Sequence, residues 1–146
     1  MLINPDAGWV QIRIGEFEER ASYLTDVPID ILEAFIELYK HHKPVAIKFD
    51  AEGWEYIIVI DHYQTHIIDY TYRTDDEYLN SEDEKQVLIT VEINKNDLAK
   101  EFISDIERDY DKWVRWMYYD EKDTIAERKE YLDTKLQELK SFVFKN

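Results

Sequence analysis

The chain predicts an α+β fold: an antiparallel sheet of about five to six strands, one helix inserted after the first hairpin, and two C-terminal helices packed on the sheet. Three observations carry this expectation. Apolar residues alternate with a period of two along much of residues 10–93, and step by three and four beyond residue 96. With three glycines and three prolines in 146 residues, the elements must follow one another through short connections, which favours antiparallel neighbours. Strands followed by helices argue for α+β rather than a parallel α/β fold. A chain of this length with 45% apolar residues is expected to form one domain, residues 1–146, with a core of its own.

The elements follow in order. Val10, Ile12 and Ile14 alternate with Gln11 and Arg13 as a half-buried strand. Gly15 turns the chain, and Phe17 to Leu24 pairs back as a hairpin. Asp26 is placed to cap a helix whose first turn tolerates Pro28. Ile31, Leu32, Phe35, Ile36, Leu38 and Tyr39 recur at helical spacing as far as His42, and Pro44 ends the helix. Val45, Ile47 and Phe49 alternate again, and Asp50-Ala51-Glu52-Gly53 reads as a turn. The segment Trp54 to Ile60 is apolar on both faces, so its place is in the middle of a sheet. Asp61-His62 turns the chain into a strand whose one face carries His66, Ile68, Tyr70 and Tyr72. Residues 74–85 are acidic and aperiodic and read as a loop, and Val87, Ile89, Val91 and Ile93 form a last strand. Leu98, Phe102, Ile106, Tyr110, Trp113 and Met117 predict one amphipathic helix capped near Asn96. Thr124-Ile125-Ala126-Glu127 is a capping box for another, with a seam of Leu132, Leu136, Leu139 and Val143.

Charge bounds the function. The formal net charge is −15, from 33 acidic against 18 basic side chains. Such a field repels phosphate backbones and anionic lipid and attracts basic partners, so neither nucleic acid nor a membrane is an expected partner. The longest apolar run, Ile57 to Ile60, is far shorter than the roughly 20 residues of a spanning helix. The N-terminal residues have neither the basic nor the apolar region of a signal peptide. Absence of cysteine excludes disulfides, thiolate metal sites and thiol nucleophiles, and fits a reducing compartment. A cytoplasmic protein is expected.

Catalytic signatures are missing. No glycine flanks a serine as a nucleophile elbow requires, and Gly8, Gly15 and Gly53 stand too far apart to build a phosphate loop. His62 and His66 are four apart, but in a turn and a strand, where four residues span about 13 Å, too far for two ligands of one metal. His41 and His42 are adjacent at a helix end and point about 100° apart. The acidic segment around Asp75 to Glu84 lacks the glycine of a calcium loop. No cofactor or metal is expected.

The candidate residues are those of a contact surface. Asp75, Asp76 and Glu77 lie in the acidic segment; Glu101, Asp105 and Asp109 share one helix stripe at i, i+4 and i+8. That stripe reads either as a recognition surface for a basic partner, as a hard-cation site, or as a solvated helix face. The aromatic segment Trp113 to Tyr119 supplies Trp113, Trp116 and Tyr119, residue types that anchor protein interfaces when exposed but otherwise fill a core.

Two stretches, Ala21-Ser22-Tyr23-Leu24-Thr25-Asp26 before a helix and Phe49-Asp50-Ala51-Glu52-Gly53 between strands, resemble small acidic bacterial proteins of the polymorphic-toxin immunity type. The resemblance covers about the first 75 residues and carries over no functional residue. It implies a non-catalytic protein that binds and blocks a toxin domain. The expected function is thus a non-catalytic acidic binding protein docking a basic protein. The alternatives are a carboxylate-based enzyme, with or without a divalent metal, and a structural homo-oligomer.

Overall fold

The computed structural model describes residues 1–70, 86–116 and 122–145. It is α+β, with antiparallel strands in two sheets rather than one. The first is a meander of β1 (Leu2–Asp6), β2 (Trp9–Ile14) and β3 (Phe17–Ser22). The β2–β3 pairing runs from Trp9↔Ser22 to Ile14↔Phe17, closed by Gly15 at φ +58°. A Cβ there would stand 3.1 Å from a Val91 methyl, so this hairpin tip is set close against the second sheet. The expected hairpin is therefore extended by a strand, β1, for which the sequence shows no clean alternation. Pro5 lies within that edge strand, where the β1–β2 register shifts between Ile3 and Asp6.

Helix α1 (Val27–His41) follows and carries proline in its first turn. It buries Val27, Ile31, Leu32, Phe35 and Leu38, and ends on His42 in the left-handed region. Asp26 holds the N-cap position, but its side chain makes no capping bond; it is bound elsewhere, as shown below. The second sheet is a four-stranded meander of β4 (Val45–Asp50), β5 (Glu55–Ile60), β6 (Gln64–Tyr70) and β7 (Gln86–Glu92) in sequence order. β5 lies inside the sheet as expected, with Tyr56, Ile58 and Ile60 buried and Ile57 and Val59 half-buried on the other face.

The expected long helix from residue 96 to Met117 is instead two. Helix α2 (Lys95–Arg108) begins two residues earlier, where Asn94 Oδ1 accepts the Asp97 N–H at 2.9 Å. The ladder stops at Asp109, whose backbone leaves the helical region (φ −108°, ψ 31°), and the short α3 (Tyr110–Val114) follows. Met117 lies outside the described residues. Helix α4 (Lys122–Val143) starts before Thr124, so the Thr124–Glu127 box lies inside its first turns. Its seam of Leu132, Leu136, Leu139 and Val143 is buried as the spacing predicted.

The buried residues of both sheets and all these helices form one apolar cluster. Ring contacts tie the helices together: Phe35 to Phe102 at 5.9 Å and Tyr39 stacked on Phe142 at 5.7 Å. Among the described residues no helix is long and apolar enough to cross a membrane.

Candidate functional site

The residues expected to form a contact surface divide sharply. Asp75, Asp76, Glu77 and Tyr119 lie outside the described residues. Trp113 is fully buried and Trp116 is 3% exposed, and their rings meet at 5.0 Å. Trp116 Nε1 donates to the Thr25 carbonyl at 3.0 Å. These two tryptophans are core, not interface anchors.

The acidic stripe is engaged within the fold, with Asp105 buried and Glu101 and Asp109 half-buried. Asp105 is 5% exposed. Its carboxylate accepts the Leu2 N–H at 2.8 Å and Arg108 Nη1 at 3.0 Å, while Arg108 Nη2 donates to the Leu2 carbonyl at 2.7 Å. Asp105 and Arg108 therefore clamp β1 to α2. Asp109 accepts from the same guanidinium at 2.9 Å, and Glu101 faces the N-terminal ammonium at 3.4 Å. Each of the three already has a cation, and the stripe does not present free charge to a partner.

A second internal pair lies at the head of α1. Arg128 of α4 is 8% exposed. It meets Asp26 with both terminal nitrogens at 2.7 Å and also donates to the Trp113 carbonyl. This fork geometry is the strong form of a carboxylate–guanidinium pair. It explains why Asp26 does not cap α1.

One turn further along α1, carboxylates behave differently. An open groove of about 760 Å³ runs between α1 and β4. Asp30, Glu33 and Glu37 of α1 form one wall; Val45, Ala46, Ile47, Lys48 and Asp50 of β4, with Glu55 of β5, form the other. Helical spacing i, i+3, i+7 puts the three α1 acids on one stripe. The turn of residues 51–54 brings Asp50 opposite Glu55. The groove thus collects five carboxylates against one lysine, Lys48, which is 3.5 Å from Glu55.

Asp30 has no hydrogen-bond or ion-pair partner among the described residues. Its pKa is pushed up to about 6, first by burial and then by the neighbouring Asp26 and Glu33 carboxylates. Glu33 accepts a hydrogen bond from the Tyr131 hydroxyl, and Glu37 pairs with exposed His41 at 3.1 Å. Leu24, at the groove, and Tyr131 beside it are both exposed. An exposed aromatic therefore does stand beside an acidic surface, but it is Tyr131 rather than the tryptophans.

None of these five acids is among the residues expected from the sequence to form a contact surface. The α1 stripe is legible as Asp30, Glu33 and Glu37 at helical spacing; its meeting with Asp50 and Glu55 is a tertiary event. His62 stacks on His42 with ring centroids 6.1 Å apart, its Nε2 3.4 Å from the His42 carbonyl, while His66 Nδ1 lies 3.2 Å from Thr90 Oγ1. Among the described residues no three His, Cys, Asp or Glu side chains converge as a metal site. Comparison with known protein families, curated proteins and solved structures finds no match to this chain.

Proposed function

We propose that the protein is a non-catalytic acidic binding protein that docks a basic protein partner in the groove between α1 and β4. The observation that carries this reading is Asp30, a carboxylate without a counter-ion in a groove of four further acids. Lysine or arginine entering there gains attraction from carboxylates already partly desolvated, and the field of a −15 chain steers it inward. Leu24 and Tyr131 supply apolar contact beside the charge. The resemblance of Ala21–Asp26 and Phe49–Gly53 to immunity-type proteins gives the partner class: a basic toxin domain, bound and blocked in the cytoplasm. Both stretches adjoin the groove, through Leu24, Thr25 and Asp50.

The test uses decalysine as probe, read by fluorescence anisotropy across a salt series. The groove variant Asp30→Asn/Glu33→Gln/Glu37→Gln/Asp50→Asn is compared with a control that neutralises Glu16, Glu18, Glu127 and Glu130. The reading expects the groove variant to lose affinity and salt dependence well beyond the control. Equal losses in the two variants would mean that the probe senses only net charge.

One observation favours a second reading, a carboxylate-based enzyme. Asp30, holding its proton to about pH 6 beside Glu33, is the kind of unequal pair used in acid–base chemistry.

A further inference from the structure

The groove has a feature that charge alone does not explain: it is lined by four consecutive residues of β4, Val45 to Lys48. Successive side chains of a strand point to opposite faces, so a surface touching four in a row follows the strand's edge. β4 is the end strand of its sheet, with β5 as its paired neighbour among the described residues.

The hydrogen-bond phase shows which groups that edge presents. Ala51 N–H donates to the Trp54 carbonyl at 2.9 Å at the hairpin end. In an antiparallel pair the bonded positions alternate, so Phe49, Ile47 and Val45 turn their N–H and C=O groups toward β5. Asp50, Lys48 and Ala46 turn theirs outward. The Asp50 N–H confirms the phase, because it donates to Thr25 Oγ1 at 2.8 Å, away from β5. Beyond Thr25, exposed Lys48 and Ala46 face the groove.

We infer that the groove takes an extended, basic segment of the partner as an added strand on the edge of β4, with alternate basic side chains reaching the α1 carboxylates. The spacing agrees. Same-face residues of a strand repeat every 6.6–6.8 Å or so, while Asp30, Glu33 and Glu37 are separated along α1 by about 4.5 and 6 Å. Main-chain bonds then supply affinity and the acid stripe supplies selectivity, as in other strand-addition modes. This inference rests on the docking reading above.

The test uses a ten-residue peptide of alternating lysine and valine, and two isomers N-methylated either at every lysine or at every valine. Charge is identical in all three. Strand addition predicts that one isomer binds like the parent and the other about tenfold or more weakly, since only one phase faces β4. It also predicts slowed amide exchange at Ala46 and Lys48 when the parent peptide is bound. Equal binding of both isomers, with unchanged exchange at those two amides, would overturn strand addition and leave basic docking intact. No binding of any of the three at low salt would overturn both.

Discussion

Asp26 and Asp30 stand one turn apart at the start of the same helix, yet their settings are opposite. Asp26 is gripped at both oxygens by the buried guanidinium of Arg128. Asp30 faces a groove with no cation of its own and holds its proton to about pH 6. The same contrast extends outward. In the helical region, Asp105, Asp109 and Glu101 each meet a cation and join elements together. In the groove, five carboxylates share one lysine. With 18 basic side chains for 33 acidic ones, cations are scarce, and where the fold places them separates structural acids from acids free to bind.

The comparison can be broken most directly at Asp26. Asp26→Asn should destabilise the fold by about 3–5 kcal/mol, because Arg128 stays buried without a counter-charge. Urea denaturation measures it, and a loss below about 1 kcal/mol would place the pair among the weak surface bridges. Asp105→Ala should cost about 2–3 kcal/mol by the same assay, since it orphans the Leu2 N–H and frees Arg108.

The third prediction reverses sign. The folded state keeps a proton on Asp30 up to about pH 6, whereas the unfolded chain releases it near 3.8. The folded protein binds more protons in that window, so this group's contribution falls as pH rises from about 4 to 6 and is flat above. Asp30→Asn should therefore stabilise the protein at pH 7, by about 1 kcal/mol once solvent screening of this half-exposed group is allowed for. The variant's stability should lose that pH slope; a destabilised variant would mean that Asp30 is structural after all. The smallest stability effect belongs to Glu33→Gln/Glu37→Gln, within about 0.5 kcal/mol. Those two changes should instead slow association with a basic peptide and flatten its salt dependence.

Element identity was legible wherever periodicity was long. β2, β4, β5 and the seam of α4 all follow from the spacing of their apolar residues. β1 was missed because five residues containing Pro5 and Asn4, the latter at φ +52°, cannot show a clean alternation. The helix break at Asp109 was missed because Leu98 to Met117 keeps a continuous helical period; α2 ends where the Asp109 backbone leaves the helical region (φ −108°, ψ 31°), which apolar spacing does not report. The single expected sheet became two because strand order depends on how hairpins pack, and residue patterns do not encode that.

The sequence by itself determined the α+β class, the antiparallel neighbours, most strand and helix positions, and the acidic field, since these depend on local periodicity and on summed charge. Only the tertiary structure decided which acids are neutralised. Charge pairing acts through distances of a few ångströms between residues such as Asp26 and Arg128, which lie 102 positions apart. It was also the tertiary structure that set the stripe of α1 against the open edge of β4, turning carboxylates scattered from Asp30 to Glu55 into one groove.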